Sequence, residues 1–390
     1  MADIALLALN SGSSSLKFGV FLVKNGEVQA AYRGAMERIG SAEARLWMRS
    51  ASGEQLYDQS HVAANSVEAL RIVAEKLVEL KLPQLAAIGH RVVHGGPEIR
   101  EHQRITPEVE RQLEEATHFA PLHIPAALRL IRAARERFPG VQQFACLDTA
   151  FHRTLPEAAA RFALPQRFWE AGVRRYGFHG LSCESVLYAM GNAAPKRMIV
   201  AHLGSGASIT AIVGGLSVDT TMGLTPTGGI VMGTRTGDLD PGVLLHILRT
   251  TESTAEELEK LLDKESGLLG ISGKTSEMQA LHQAPGDKRA DLAVEMFSRS
   301  SMKAIAGMIA VLAALDMLIF TGGIGEHDAA VRAQICAGLT PFGIALDPAS
   351  NQKSLPIIST VESRVQVKLI AADEEGQIAR HCYRLLGEGK

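Results

Sequence analysis

The sequence predicts an α/β protein built from two related domains, and three observations lead to this prediction. Segments with the period of a strand alternate along the chain with segments that have the spacing of an amphipathic helix. The length of 390 residues exceeds what one hydrophobic core usually organises. A Gly/Ser-rich hairpin near the start of the chain recurs about half a chain length later, as it would after an internal duplication.

Composition and charge describe an ordinary globular protein and exclude several classes of function. The chain is 46% hydrophobic and 21% charged, its formal net charge is −2, and it contains no Lys/Arg-rich run. A nucleic-acid partner is therefore not expected. The four cysteines are far apart and form no CxxC pair, so neither a structural zinc site nor a disulfide framework is expected, and a reducing cytoplasm fits.

The most apolar window, residues 304–320, lacks the character of a membrane span. Lys303 precedes it and Asp316 interrupts it, so we predict a buried helix followed by a buried strand. The opening segment MADIALLALN has no basic region and is too short for a signal peptide. These features indicate a cytoplasmic protein without a membrane partner.

Each predicted element has a local signal. In residues 5–21, ALLALNSGSSSLKFGVF, an apolar run ends at Asn10, a small polar loop follows, and the next segment alternates like a half-buried strand. The later elements are a helix over 66–80, a helix that begins at Thr106-Pro107, a helix over 124–138 that Pro139-Gly140 ends, and strands that lead into Gly95-Gly96 and Asp148.

The second hairpin lies in RMIVAHLGSGASITAIVGGLSV, residues 197–218. Ser208 and Ile209 align there with Ser15 and Leu16 of the first hairpin. Gly/Ser hairpins are common, so this similarity alone leaves the duplication open. Two such hairpins facing each other would hold a polyphosphate between the domains.

The glycine-rich loops favour an anionic ligand, although neither common nucleotide motif is present. The chain contains no GxxxxGK[ST] and no GxGxxG between a strand and a helix. In the first hairpin, small residues allow backbone N–H groups to approach an anion, Ser13 and Ser15 add hydroxyls, and Lys17 adds a charge. In LIFTGGIGEHDAAVR, a buried strand ends at Thr321, the glycines make a turn and a helix follows. This turn either receives a nucleoside or is a tight connection without a ligand.

Six charged or imidazole residues lie at strand ends, in loops or near a helix start, where function concentrates. They are Arg91, His123, Asp148, His179, Arg235 and Glu374. A metal hydrolase is disfavoured because HExxH is absent, and a serine hydrolase because GxSxG is absent. Arginines, histidines, carboxylates and glycine loops together suit phosphoryl transfer, in which the protein positions groups and neutralises charge.

At this point the motifs resemble a known family. The segments that carry the resemblance, in chain order, are LNSGSSSLKF, GHRVVHGG, DTAFHRTLP, RRYGFHGLS, GLTPTGGIVMGTRTGDLDPG and FTGGIGEH. They are similar to the acetate kinases and span essentially the whole chain. The resemblance implies two duplicated ribonuclease H-like (actin-like ATPase) domains with a central interdomain cleft that closes on its ligands, and a homodimer.

The resemblance also implies an activity: reversible transfer of the ATP γ-phosphoryl group to acetate by direct in-line displacement, with Mg²⁺, or Mn²⁺ as the alternative cation. It implies that Asn10 and Glu374 hold the metal and that Lys17 reaches the phosphates. The implied catalytic residues are Arg91 and Arg235 beside the acetate and phosphoryl group, His179 with His123 at the equatorial oxygens, and Asp148 as the active-site acid position, which we interpret as an orienting residue.

The remaining implied residues form two groups. The methyl pocket would consist of Val93, Leu122, Phe178 and Pro226 beside Arg91. The nucleotide, ATP or ADP, would lie against His202, Leu203, Gly204, Ser205, Gly206, Glu277, Met278, Gln279, Gly322, Gly323, Ile324, Gly325, Glu326 and His327, with Ser13 and Ser15 at the phosphates.

The sequence departs from the family mainly at the nucleotide. Ser205 replaces an Asn, Gln279 replaces an Arg and His327 replaces an Asn, while Ile124 replaces an Asn beside His123. The loss of the Arg removes a planar donor near the nucleoside. The donor therefore stays open between ATP, GTP and pyrophosphate.

The acceptor and the class of function also have alternatives. Val93 leaves room for a methyl group, so acetate is expected, with propionate or butyrate as the alternative acceptor. An actin-like or Hsp70-like nucleotide clamp without kinase activity is the alternative from another class. The predicted domains are residues 1–150 with a C-terminal helix over 372–390, and residues 151–371, which would carry the nucleotide site and the dimer contact.

Overall fold

The computed structural model describes residues 4–12 and 14–388 of the chain. It divides into two compact units. The first comprises the described residues up to Ala150, Gly180–Ser185 and the residues from Asp373 onward; the second comprises Phe151–His179 and Val186–Ala372.

The strands of the first unit form one sheet, in the order β5-β4-β3-β2-β1-β6-β8-β7. Their bounds are β1 (Ile4–Ser11), β2 (Leu16–Lys24), β3 (Glu27–Glu37), β4 (Arg45–Ser50), β5 (Gln55–Ser60), β6 (Leu85–Val92), β7 (Gln103–Arg104) and β8 (Gln142–Leu147).

The strands of the second unit form another sheet, in the order β11-β10-β9-β12-β13. Their bounds are β9 (Arg197–Leu203), β10 (Ala207–Val213), β11 (Leu216–Thr220), β12 (Met317–Thr321) and β13 (Gln366–Leu369).

The two sheets share one topology, which supports the duplication. In each unit three antiparallel strands come first, β1 to β3 or β9 to β11. The first strand of each set then pairs in parallel with a later strand, β6 or β12, which pairs in parallel with β8 or β13. The predicted α/β class is thereby confirmed.

The helices take the bounds that follow. In the first unit these are α1 (Ser66–Glu79), α2 (Pro107–Glu115), α3 (Ile124–Arg137) and α15 (Glu374–Glu388), and α6 (Gly180–Met190) begins there. In the second unit they are α4 (Glu157–Ala160), α5 (Gln166–Glu170), α7 (Pro241–Thr251), α8 (Ala255–Lys264), α9 (Gly267–Ser272), α10 (Met278–His282), α11 (Lys288–Leu312), α12 (Gly322–His327), α13 (Ala329–Ala337) and α14 (Pro348–Gln352).

Local signals predicted several of these helices correctly. The Asn65 side chain accepts the N–H groups of Val67 and Glu68 at the start of α1. The Thr106 hydroxyl caps α2, with Pro107 as the first helical residue. The apolar window 304–320 forms the end of α11, a turn and β12. Within the described residues, no helix combines the length and the hydropathy that crossing a membrane requires.

The second strand is more buried than its alternation predicted. Phe18 and Val20 pack into one hydrophobic cluster, whereas Phe21 and Val23 pack into another. Residues of α1 and α3 belong to the first cluster and residues of α15 to the second. Helices therefore cover both faces of the first sheet, and a strand covered on both faces is apolar throughout.

Candidate active site

Parallel strand pairing in the first unit brings Arg91 and Asp148 together. Arg91 lies on β6 opposite Cys146 of β8, and Asp148 follows that strand directly. Nε and Nη2 of Arg91 donate to Asp148 Oδ2 at 2.9 and 2.5 Å. The Asp148 side chain is completely buried and that of Arg91 is 18% exposed. The carboxylate therefore holds the guanidinium group in one orientation at the carboxyl ends of β6 and β8.

Burial and charge compete at this pair. Burial acts to lower the pKa of Arg91, but the carboxylates of Asp148, Glu374 and Glu375 outweigh it and raise the pKa above its usual range. Burial raises the pKa of Asp148 above its ordinary value, against the opposing effect of the Arg91 guanidinium. Oδ1 of Asp148 is buried and, within the part of the chain that the structure describes, has no hydrogen-bond partner. One oxygen of the Asp148 carboxylate therefore remains able to accept a hydrogen bond.

Asn10 joins Arg91 to two further carboxylates. Its Oδ1 accepts Nη1 of Arg91 at 3.1 Å. Its Nδ2 donates to Glu374 Oε2 at 2.9 Å and to Glu375 Oε1 at 2.8 Å. Asn10 is the penultimate residue of β1, and both glutamates open α15. One amide thus bridges the strand end and the helix start.

The close approach of α15 to the sheet depends on Gly89. A Cβ atom at this position of β6 would lie 2.3 Å from Ile378 Cγ2 and 2.6 Å from Cys382 Sγ. The bare backbone therefore allows α15 to pack on the strand that also carries Arg91. A larger residue would push the helix, with Glu374 and Glu375, away from Arg91.

The donor atoms of this cluster fit the implied cation. Carboxylate and amide oxygens from Glu374, Glu375 and Asn10 are hard ligands of the kind that Mg²⁺ prefers. Both glutamates are half-buried. The amide of Asn10 donates to both carboxylates and thereby positions them.

The other predicted residues of the first unit lie on the hairpin, just after β6 and at the start of α3. Lys17 pairs with Asn10 across the hairpin, and its side chain is exposed. The Ser15 carbonyl accepts the Gly12 N–H at 2.8 Å, which closes the hairpin tip; Ser13 lies outside the described residues. Val93 is half-buried just after β6. Leu122 is 47% exposed, and His123 occupies the N-cap position of α3.

In the second unit, His179 adopts a left-handed backbone conformation with φ of 59°. This conformation is unfavourable for a residue other than glycine, and such strain is often found at functional sites. Nδ1 of His179 is 3.0 Å from Ser208 Oγ, and its ring stacks on His202 with 4.2 Å between centroids. The side chain is buried and held on two sides.

Gly206 lies where His179 and Arg235 meet. A Cβ atom at Gly206 would be 3.3 Å from Arg235 Nη1 and 3.3 Å from His179 Nε2. Nη1 of Arg235 also donates to the carbonyl of Pro226 at 3.3 Å. The two predicted catalytic side chains of this unit are therefore neighbours, with the glycine loop between their ends.

The predicted nucleotide loops also come together. The Gly204 N–H donates to Gly206 O at 3.0 Å, which bends the loop over 202–206. Gly322, with φ of 78°, lies against this loop, because a Cβ there would be 2.7 Å from Leu203 O. A Cβ at Gly323 would meet nothing within 4 Å. Space thus remains beside the backbone of Gly323.

The glycine turn differs in one respect from the prediction. Gly322–His327 is itself a short helix, α12, whereas the sequence indicated a turn before a helix. The Gly322 N–H donates to Glu326 Oε1 at 2.9 Å, which supports a helical start at that residue. The His327 side chain is 79% exposed.

The third predicted nucleotide segment lies beside the same loop. A Cβ at Gly233 would contact both Ser205 O, at 3.2 Å, and Ser276 O, at 3.4 Å. Glu277 occupies the N-cap position of α10 and is exposed, as is Gln279, whereas Met278 is 4% exposed. Phe178, a predicted pocket residue, is 1% exposed.

Sequence reasoning missed two residues of these clusters. Glu375 contributes a second carboxylate, which accepts from Asn10, and the doublet Glu374-Glu375 at a helix start could have indicated it. Ser208 orients His179 and is 1% exposed. The alignment of Ser208 with Ser15 singled it out as part of a repeat but assigned it no partner.

Comparisons with known proteins agree over nearly the whole chain. Residues 5–380 match the family model described as the acetokinase family. The acetate kinase of Methylocella silvestris is 42% identical over 398 residues and covers 98% of each chain. The crystal structure of a propionate kinase from Francisella tularensis has a TM-score of 0.91 at 36% identity, covering 99% of this chain and 100% of that one. The crystal structure of Porphyromonas gingivalis acetate kinase has a TM-score of 0.85 at 35% identity, covering 98% and 99%. With sequence, fold and length in agreement, the chain belongs to the acetokinase family.

Proposed function

We propose that this chain transfers the γ-phosphoryl group of ATP reversibly to acetate in the presence of Mg²⁺, which yields acetyl phosphate and ADP. Membership of the acetokinase family makes it a phosphotransferase. The observation that carries the proposal is the buried Arg91–Asp148 pair, which Asn10 connects to Glu374 and Glu375.

The chemistry needs charge neutralisation more than proton transfer. Acetate is ionised at pH 7, so no general base has to activate it. One carboxylate oxygen forms a bond to the γ-phosphorus while the bond from that phosphorus to the bridging oxygen breaks, and ADP leaves. Two anions must approach each other, and guanidinium groups with low water access reduce their repulsion.

Each residue of the first unit has a defined part in this proposal. Arg91 binds the carboxylate and the phosphoryl group in transit, and Asp148 fixes its guanidinium plane. Asp148 is an orienting residue, because its Oδ2 is already engaged by Arg91. Asn10 and Glu374, together with Glu375, would hold Mg²⁺, which when bound neutralises phosphate oxygens. Lys17 would reach the phosphate chain.

The residues of the second unit serve the phosphoryl group and the nucleotide. Arg235 and His179 would donate to the equatorial oxygens. The loop over 202–206 and the backbone at Gly323 receive the nucleoside, for which the open space beside Gly323 provides support. Gln279 and His327, which replace family residues, are both exposed, so GTP and pyrophosphate are included as donors to be tested.

Propionate is the second candidate acceptor, because the Francisella tularensis relative is a propionate kinase. Val93, two residues after Arg91 in the first unit, would leave room for a methyl group. One methylene changes binding by about 1–3 kcal/mol, so propionate should be a slower substrate rather than an excluded one.

A matrix of donors and acids tests the proposal directly. ATP, GTP and pyrophosphate are each combined with acetate, propionate and butyrate, with and without Mg²⁺, and the acyl phosphate is trapped with hydroxylamine. We expect the fastest hydroxamate formation from ATP and acetate with Mg²⁺. Hydrolysis of ATP without hydroxamate from any acid would instead identify a nucleotide clamp.

A homodimer through the second unit is part of the same proposal. The apolar residues Leu239, Val243 and Leu245, at and within α7, are 40%, 41% and 51% exposed. A second copy of the chain would cover them. Light scattering should give twice the monomer mass for the wild type and the monomer mass for Leu245→Asp; a monomeric wild type would contradict the dimer.

A further inference from the structure

Two histidines and a glutamate form a cluster in the first unit that no part of the proposed mechanism uses. His102 precedes β7, Glu184 lies on α6 and His381 lies on α15. His102 Nε2 is 3.2 Å from Glu184 Oε1, and His381 Nε2 is 2.7 Å from Glu184 Oε2. The two imidazole rings lie 3.8 Å apart between centroids. All three side chains are at most 15% exposed.

The backbone determines which nitrogen of His102 carries the proton. The N–H of Leu147 donates to His102 Nδ1 at 3.0 Å. That nitrogen must therefore present a lone pair, so the proton is on Nε2, which donates to Glu184. The chain of donors thus runs from Leu147 through His102 to the carboxylate.

This assignment argues against a metal ion at the cluster, although the three ligand atoms lie within 4.8 Å of one another. A protonated Nε2 cannot ligate a cation. A metal-bound histidine normally donates its other ring N–H to an acceptor, whereas Nδ1 of His102 faces a donor. A metal ion on Nε2 would require His102 to lose its one remaining ring proton while Nδ1 still accepts the Leu147 N–H.

The cluster connects two elements of the candidate site: β8, which Asp148 follows directly, and α15, which begins at Glu374. Leu147, which His102 holds, immediately precedes Asp148 in the chain. His381 lies seven residues after Glu374 on α15, so the two are on the same helix face about 10 Å apart. A shift of His102 or His381 would therefore be transmitted to Asp148 and to Glu374.

We infer that His102, Glu184 and His381 form a positioning network that fixes Asp148 and Glu374 relative to each other within the first unit. Glu184 is its centre, because it receives both imidazoles. The kinetic test of this inference rests on the proposed kinase function. Hydrogen–deuterium exchange of the backbone tests it without that function.

The charge states of the network agree with this arrangement. Burial acts to raise the pKa of Glu184, but the hydrogen bonds from His102 and His381 outweigh it and lower the pKa to about 2. Burial lowers the pKa of His381, against the effect of Glu184. Near neutral pH the network is one anion between two N–H donors.

Glu184→Gln tests the network, with Glu110→Gln as the matched control. Glu110 is another buried glutamate of the first unit, but it lies on α2 and pairs with Arg132 and Arg135 instead of histidines. We expect Glu184→Gln to raise KM for Mg²⁺ and to lower kcat with acetate about tenfold, the lower end of the loss from outer-shell changes. Glu110→Gln should lower Tm and leave both constants unchanged.

Hydrogen–deuterium exchange of the peptide that contains Leu147 and Asp148 provides the second readout. Exchange should become faster in Glu184→Gln and stay unchanged in Glu110→Gln. If the wild type has no acyl kinase activity, the proposed function fails, and this exchange still decides the inference. His102→Asn, which keeps an acceptor for Leu147 but loses the donor to Glu184, replaces Glu184→Gln if that variant does not fold.

Three outcomes would overturn the inference. The first is unchanged kinetics and unchanged exchange in Glu184→Gln. The second is an equal effect of Glu110→Gln on KM, which would indicate general destabilisation. The third is a rise in Tm of the wild type with Zn²⁺ or Ni²⁺ that Glu184→Gln and His102→Asn both abolish, which would identify a metal site.

Discussion

Asp148 receives two N–H groups of Arg91 on one oxygen, and its other oxygen has no hydrogen-bond partner among the described residues. An asparagine there would preserve shape but remove the charge that orients the guanidinium. Because acetate needs no general base, a loss of activity in the asparagine variant would reflect the orienting role of Asp148 rather than acid–base chemistry.

We expect Asp148→Asn to lower kcat about 100-fold, a loss comparable to removing one fixed donor or its anchor from a transition state. Asp316→Asn is the control, because Asp316 pairs with Arg197 away from the proposed site residues. Initial rates over a range of Mg²⁺ concentrations measure the effect. Near-normal turnover with unchanged Mg²⁺ dependence would contradict the orienting role.

Val93→Ala tests the acceptor pocket at a single side chain. Removal of two methyl groups beside Arg91 should raise the ratio of kcat/KM for propionate over acetate about fivefold or more. Val62→Ala, at a side chain that is 80% exposed, is the control. An unchanged ratio would refute the assignment of Val93 to the pocket.

At the scale of elements, local signals predicted most of the helices and strands that carry the site. The helix predicted over 66–80 and the helix start predicted at Thr106-Pro107 both form, and so do both hairpins. The start of α12 at Gly322 was not predicted, because a glycine run indicates a turn unless a side chain such as Glu326 stabilises the first helical N–H. Such a contact is visible only once the helix has formed.

Gly323→Ala tests the nucleotide site on α12, with Gly307→Ala on α11 as the matched control. A Cβ at either glycine would meet nothing within 4 Å, so neither change should disturb the fold. Alanine should even stabilise each helix by about 0.5–1 kcal/mol. We expect KM for the nucleotide to rise about tenfold only in Gly323→Ala, because the new methyl group occupies space that the nucleoside requires. Equal nucleotide KM values in the two variants would exclude Gly323 from the site.

At the scale of the whole molecule, stability should depend on pH through Glu184. Its folded pKa of about 2 lies below its ordinary value of 4.5. A depressed pKa contributes stability that is present above pH 4.5 and is lost as the pH falls towards 2. The shift corresponds to about 3 kcal/mol.

Urea unfolding of the wild type and of Glu184→Gln should therefore differ most at pH 7, and the difference should shrink as the pH falls from 4.5 towards 2. The denaturation midpoints measure this difference, with Glu110→Gln as the comparison. A gap between wild type and Glu184→Gln that does not change over this range would mean that the charge of Glu184 is not what stabilises the fold.

Local sequence determined the α/β class, the two hairpins, the main helix starts and the residue types of the site, because periodicity, caps and glycine loops are short-range properties. Only the tertiary structure decided which side chains meet. Asn10 and Glu374 are 364 residues apart, and Arg91 and Asp148 are 57 residues apart. Hydrogen bonds between such distant residues leave no periodic trace in the sequence, since strand pairing and helix packing, rather than neighbouring residues, bring the atoms together.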